Sequence, residues 1–521
     1  MSITKKIKYY FNTGNLLPCL LLFSSVFILY GHTISFGLVV FDDNILVKNP
    51  LYESIKNIPL FFKYDIFNSG SRFYRPVLSI SLMADYLLHT SGYWVFHFTN
   101  VMLHAIACVL IYFFIMLNGF GRKTSITLTL LFAVHPAFVQ STAWIPGRND
   151  TLLACFVISS LIAFSKYAEN VFSSTVSDLT DISWAKNKWL TLHIFLFIAA
   201  LFTKETAVML PFAASAMIYS NLISQLNREK LNKSVKLILP QTIVLFFYFF
   251  VRKSAVLGAA DIEYLESLKG LLLIPVLFFK NFIELDFCVY KRWAYFSIPV
   301  FIFFCSLIAL GFVLSDRRIR SKYVFGIISA LFFLAPVFLK TKGIFPFFLG
   351  HRFYLPSAFL LISVASLSIG EKSQNIQKHI SSGIKWGIYS VFFLFLMCLS
   401  YIQCSYFKDT NVFWERACIE IPNDFTAQAM AAINYYDRHM IIPAAYHAKK
   451  ALEINPWHED MNMVLGIYSA KQGNIRLSLE YMEKEIKNNP KNTVAAMLIP
   501  QLQSLISQGI FYGEINFKYR Q

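Results

Sequence analysis

Residues 16–30 read LLPCLLLFSSVFILY, an uncharged run with Lys5, Lys6 and Lys8 just before it. A basic start ahead of an apolar run has the outline of a secretory leader, but no small-residue cleavage site follows. The run is therefore expected to persist as a first helix entering the bilayer from the cytoplasm. Working outward, further apolar stretches of roughly 17 to 22 residues are long enough to cross a hydrocarbon core. They are centred near Ala107, Leu130, Val157, Phe195, Ala213, Val244, Ile302, Leu331, Leu361 and Phe392. About 11 transmembrane helices are expected. The stretch Leu271 to Phe279 is too short to span and reads as an interfacial helix.

Composition supports lipid as the solvent. Of 521 residues, 56% are hydrophobic, 17% aromatic and only 15% charged, against about 25% charged in ordinary soluble domains. The net charge of +17 does not point to nucleic acid, because no compact basic domain carries it. It lies in short runs between apolar spans: Lys5/Lys6, Arg122/Lys123, Lys186/Lys188, Arg228 to Lys236, Arg317 to Lys322 and Lys372/Lys378. If every span crosses once, these runs share one face, which the positive-inside rule makes cytoplasmic. The opposite face receives loops at about 39–90 and 252–295 and everything after Tyr401. The eight cysteines show no CxxC spacing and imply no metal centre. Cys404 and Cys418 are left as a pair that an oxidising compartment would permit.

The division falls near residue 404, with a membrane domain over 1–404 and a soluble helical domain over 405–521. Pro422, Pro456 and Pro490 recur at one constant interval, with Leu465-Gly466-Ile467-Tyr468 and Ala431-Ala432 in phase between them. The interval is the tetratricopeptide period of roughly 34 residues. Small residues admit close helix packing, and proline ends the second helix. The fold class is all-α, a polytopic bundle followed by a short α-solenoid whose plain reading is docking.

Chemistry is sought in the external loops. Asp42 and Asp43 follow the first span, where carboxylates are costly unless solvated, paired or used; a turn or helix cap accounts for them equally well. Basic groups recur at the same depth: Arg72, Arg75, Arg148, Lys204 beside Glu205, and His351-Arg352. Singly these snorkel; converged, they make a phosphate site. His97, His104 and His135 lie on or near the second and third spans, where hydrogen bonding to a neighbour is their ordinary use. A carboxylate facing such a cluster fits attack by an acceptor hydroxyl on a lipid-phosphate sugar, with cations holding the leaving phosphate.

The ordered set of motifs resembles the membrane-embedded GT-C glycosyltransferases, in particular the branch with tetratricopeptide repeats that includes protein O-mannosyltransferases. It comprises Phe41-Asp42-Asp43-Asn44-Ile45 through Asn49-Pro50, Tyr74-Arg75-Pro76, Asn100 with His104, and His135-Pro136 through Trp144. Gly147-Arg148-Asn149-Asp150, Thr203-Lys204-Glu205 and Arg352-Phe353-Tyr354-Leu355-Pro356-Ser357 complete it. The resemblance implies a polyprenyl-phosphate-linked sugar donor, an inverting displacement, and a base at Asp42 or Asp43. Arg75, Arg148, Lys204, His351 and Arg352 would lie near the donor phosphate, with Arg72, His104, His135, Asp150 and Glu205 in support. The acceptor would be a protein or glycan, docked on the repeats. A monophosphate donor needs no metal; a diphosphate would call for a divalent ion at Asp42, Asp43 or Glu205. The expected home is a bacterial inner membrane with periplasmic repeats, the endoplasmic reticulum being the alternative. Two positions depart from the family pattern: Gln140, often acidic in relatives, and His351, commonly Glu. A transporter would be expected to place charge at mid-span, and a scaffold would use the repeats alone.

Overall fold

The computed structural model describes residues 13–39, 42–67, 73–173, 188–222, 228–256, 267, 270–282, 291–292, 298–315, 319–338, 347–348, 350–367 and 382–511. Two compact units divide the chain, Met1–Phe407 and Lys408–Gln521.

In the first unit the principal helices are α1 (Leu16–Tyr30), α2 (Asp43–Val47), α3 (Pro76–Leu88), α4 (Trp94–Leu117), α5 (Arg122–Val134), α6 (Val139–Ala143) and α7 (Arg148–Ser173). They continue as α8 (Lys188–Leu201), α9 (Leu210–Leu222), α10 (Arg228–Ala255), α11 (Ile274–Phe282), α12 (Ile298–Leu314), α13 (Arg320–Leu334), α14 (Tyr354–Leu367) and α15 (Ser382–Cys404). A helix thus occupies every expected centre, while helix length and composition among the described residues support fewer spans than the expected number. Among the described residues six helices are long and apolar enough to span, or seven if the bent pair α5–α6 is one span. Hydropathy counts apolar runs, whereas the chain interrupts several of them with polar turns. The helix α8, for example, stops at Leu201, where Thr203-Lys204-Glu205 turn the backbone. The short helix expected over 271–279 is α11; its Ile274 and Leu277 pack with Leu334, Phe338 and Phe353.

Exposed side chains along α10 and α12, such as Phe246, Phe250, Ile302 and Val313, suit a lipid-facing surface, where apolar exposure costs nothing. Inside, small residues let α13 and α14 pack closely. A Cβ on Gly326 would overlap Ser363 and the Phe359 carbonyl, and Ser363 donates to the Tyr323 carbonyl at 2.8 Å.

The bend between α5 and α6 is 60°. Pro136 cannot donate a backbone hydrogen bond, so carbonyls at the end of α5 are freed in an apolar interior, where each needs a donor. Side chains from other helices supply them. The His104 ring lies 3.0 Å from the Ala133 carbonyl, and Ser400 donates to the Val134 carbonyl at 2.6 Å. His135 itself accepts from the Ala137 amide through Nδ1.

The second unit holds α16 (Thr410–Glu420), α17 (Phe425–Asp437), α18 (Ile441–Ile454), α19 (Met461–Lys471), α20 (Ile475–Asn488) and α21 (Thr493–Ser507). Helix ends at Glu420, Ile454 and Asn488 recur at the same constant interval as the prolines, each with its proline two positions on. Between α19 and α20, Gly466 faces Met482, whose methyl lies 2.8 Å from where a Cβ would stand. Buried Glu485 accepts from the Asp460 amide at 2.7 Å and the Met463 amide at 3.3 Å, and so holds the start of α19. Cys404 and Cys418 are both free and buried, each within its own unit.

Substituting Gly466→Val should force α19 and α20 apart at a cost of about 1–3 kcal/mol. Denaturant unfolding followed by limited proteolysis after Lys408 reads that loss.

Candidate active site

The loop after α1 separates the two aspartates. Asp43 folds back so that the Val39 amide donates to its Oδ2 at 2.6 Å. It is 1% exposed, and the Trp144 indole lies beside it. Burial pushes its carboxyl well up, against the hydrogen bond from Val39. Asp42, at the start of α2, is only partly buried. Burial raises its carboxyl, while Arg75 and Arg352 pull it back down. Adjacent in sequence, the two acids have different surroundings and different chemistry.

Two cation–carboxylate pairs make up the centre of the cluster, and Arg75 of the first acts on Asp42. Arg75 meets Glu205 as a fork, Nε to Oε1 at 3.1 Å and Nη2 to Oε2 at 2.9 Å. The backbone enforces this, because Val77 donates to the Phe202 carbonyl at 3.0 Å and brings the start of α3 to the turn after α8. Burial would raise the Glu205 carboxyl, yet the Arg75 guanidinium holds it below the usual range. The second pair is Lys204 with Asp150. The ammonium donates to both carboxylate oxygens at 2.7 Å and to Asn149 Oδ1 at 3.1 Å. Burial lowers the Lys204 ammonium to about 8, partly opposed by Asp150 and assisted by Arg75 and Arg352.

His351 and Arg352 close the group. His351 Nε2 lies 3.6 Å from Asp150 Oδ2, and its ring centroid is 5.8 Å from that of Trp144. Burial, reinforced by Lys204, Arg352 and Arg75, keeps the imidazole neutral. It therefore brings a hydrogen-bonding group to the cluster and not the positive charge read from the sequence. Burial lowers the Arg352 guanidinium, while Asp150, Asp42 and Glu205 act to retain its proton. The two departures from the family pattern touch one another, since the Gln140 side-chain oxygen accepts from the His351 amide at 3.2 Å.

Arg148 is placed differently from the expectation that put it at the donor phosphate. It is wholly buried and paired with Asp85. Its Nε donates to Asn100 Oδ1 at 2.8 Å, Nη2 to the Phe96 carbonyl at 2.8 Å and Nη1 to the Ser81 carbonyl at 3.2 Å. Asn100 in turn donates to the Trp144 carbonyl at 2.9 Å. A guanidinium so enclosed joins α3, α4 and the start of α7. Gly147 makes the preceding turn possible, because a Cβ there would overlap the Gln140 carbonyl.

His104 and His135 belong to the α5–α6 bend, not to the charged cluster. His104 reaches it indirectly, its Nδ1 lying 2.6 Å from the hydroxyl of Tyr354, two residues beyond Arg352. Arg72 lies outside the described residues. Among the described residues no group of three or more His, Cys, Asp or Glu is placed to hold a metal ion, and Glu205 is engaged by Arg75. The sequence reading assigned no role to Asp85, Trp144 or Tyr248. Asp85 left a signal as an acid inside an apolar run, and Trp144 as the end of the motif that starts at His135.

No protein-family model matches the chain. Curated relatives are protein O-mannosyl-transferases. The chain is 30% identical over 190 residues to Tmtc1 of Drosophila melanogaster, covering 35% of this chain and 20% of that protein. It is 26% identical over 196 residues to TMTC4 of Mus musculus, covering 33% of this chain and 25% of that protein. Over 238 residues it is 28% identical to Tmtc2 of Drosophila melanogaster, 42% of this chain and 24% of that protein. The matches bear out the resemblance at modest identity, and they span a quarter or less of these relatives' own length. All three are animal proteins, so the comparison lends nothing to the expectation of a bacterial inner membrane.

Replacing Asp85 with Ala should leave Arg148 as an uncompensated buried charge and destabilise the first unit by about 3–5 kcal/mol. Thermal unfolding of the detergent-solubilised chain should show the midpoint falling, and an unchanged midpoint would contradict the hub.

Proposed function

We propose that the chain transfers a sugar, of the mannose class by likeness to its relatives, from a polyprenyl-phosphate donor to a protein hydroxyl. What supports this reading is the placement of one partly exposed carboxylate, Asp42, within the field of both Arg75 and Arg352. A base and a leaving-phosphate site must lie on the two sides of a single anomeric carbon. In the proposed reaction the acceptor hydroxyl attacks that carbon as Asp42 removes its proton. The bond to the phosphate oxygen breaks with its electron pair, and configuration inverts.

Asp42 is the better base of the two acids. Asp42 is the less buried, and two guanidinium groups favour its ionised form, whereas Asp43 is buried against Val39 and Trp144. Asp43 would shape the turn that presents Asp42. The leaving phosphate gathers charge as the bond breaks, and fixed cations that need no reorganisation stabilise it most. Arg75, Lys204 and Arg352 fill that role, with Glu205 and Asp150 holding the first two in place between turnovers. His351 would add a hydrogen bond. The site would face away from the cytoplasm, opposite the basic runs, and the helix pairs after Lys408 would dock the acceptor.

Two outcomes follow for the full-length chain in proteoliposomes with polyprenyl-phosphate mannose and a hydroxyl-bearing acceptor. The variant Asp42→Asn should lower hexose incorporation, read by intact mass, by about 10²–10⁴-fold without loss of assembled protein. A non-catalytic scaffold would show no hexose increment with either protein. Donor kcat/KM should also fall as pH rises through about 8, because the Lys204 ammonium is charged below that value and neutral above it. Lys204→Arg, charged throughout, should flatten the profile.

A further inference from the structure

Arg75, Lys204 and Arg352 offer hydrogen-bond donors, and phosphate oxygens accept from them. His351 stands in the same group and differs in kind. Its place is fixed from two sides, because its amide donates to Gln140 Oε1 at 3.2 Å and its ring lies between Asp150 and Trp144. Nε2 is 3.6 Å from Asp150 Oδ2. A carboxylate on that side holds the ring proton on Nε2, which leaves Nδ1 as a bare lone pair. The residue is 4% exposed, and Nδ1 is buried with no hydrogen-bond partner among the described residues.

Buried polar atoms are almost always paired, so this one calls for a partner, and the partner must be a donor. A phosphate diester carries no proton at neutral pH, and an isoprenoid chain has no O–H or N–H to give. The hydroxyls of a hexose do. Burial and the surrounding cations keep the imidazole neutral, so it brings no charge to a phosphate. Asp43 Oδ1 is a second polar atom of this kind, buried beside the same indole and without a partner among the described residues. Cations thus gather on Arg75, Lys204 and Arg352, and unmet polar atoms gather beside Trp144.

We infer that His351 Nδ1 accepts a hydrogen bond from a hydroxyl of the donor's hexose and so selects the sugar. This rests on the reading above and gives the hydrogen bond of His351 its partner. The sugar would be read beside Trp144 and the phosphate held by the cations.

The test uses the full-length chain in nanodiscs with a radiolabelled sugar-free isoprenoid phosphate, displaced by unlabelled mannosyl isoprenoid phosphate or by the unlabelled sugar-free form. On the wild type the mannosyl form should displace about tenfold better. His351→Gln keeps an amide where Nε2 stands and empties the place of Nδ1. It should erase that advantage and leave displacement by the sugar-free form as it was. His351→Asn, with an acceptor where Nδ1 stands, should restore the advantage. In a series of monodeoxy mannosyl phosphates, one should bind the wild type as poorly as the full sugar binds His351→Gln. If His351→Gln fails to elute as assembled protein, the deoxy series on the wild type decides. Equal displacement by the mannosyl and sugar-free forms, or a deoxy series that matches mannose throughout, would mean that water meets Nδ1 and would overturn the inference. His351→Gln weakening both ligands alike would overturn it too. A sugar advantage carried by His351 without transfer by the wild type would uphold it and end the transferase reading. Transfer without that advantage would do the reverse.

Discussion

A guanidinium enclosed in an apolar interior must be neutralised and hydrogen-bonded at almost every donor, and Arg148 meets that demand by drawing three segments together. Asp85 comes from α3, Asn100 and the Phe96 carbonyl from α4, and Arg148 itself opens α7. Charge removed from water tolerates few alternative geometries, so this contact fixes α3 against the span bundle. Trp144 and Asp150 stand four residues before and two after Arg148, and Arg75 stands just ahead of α3. The charged cluster inherits its positions from a contact that takes no part in it.

A second constraint acts at the α5–α6 bend. Breaking a helix within a membrane protein frees carbonyls that water cannot reach. The chain answers with His104 from α4 and Ser400 from α15. His104 also meets Tyr354, so the donor that repairs the break lies against the turn carrying His351 and Arg352. Histidines that look like candidates for chemistry in an apolar run are here backbone partners. The polar turn at residues 202–209 is tolerated for the same reason, with its charges paired and its backbone joined to α3.

Much of this was legible in the chain. Leu16 to Tyr30 is a helix, every expected apolar centre lies in a helix, and the constant proline spacing reappears in the helix ends at Glu420, Ile454 and Asn488. Those features are local, because apolar periodicity and proline chemistry act within a few residues. The number of spans was less legible, since a run of apolar residues does not reveal that α8 stops at Leu201 to make room for Lys204 and Glu205. Among the site residues, the acidic pair and the basic groups at Arg75, Lys204 and Arg352 were visible as charges where charge is costly.

The amino-acid order by itself determined that the chain is a helical membrane protein with acids and cations at the ends of its spans. Tertiary structure alone decided which cation meets which acid. Arg75 finds Glu205 130 residues away, Lys204 finds Asp150 54 residues back, and Arg148 is withdrawn by Asp85. It also gave neighbouring Asp42 and Asp43 different surroundings, one partly exposed in the field of two guanidiniums and one buried beside Trp144. Electrostatic energy depends on separation and on access to water, and neither is written in a residue's place along the chain.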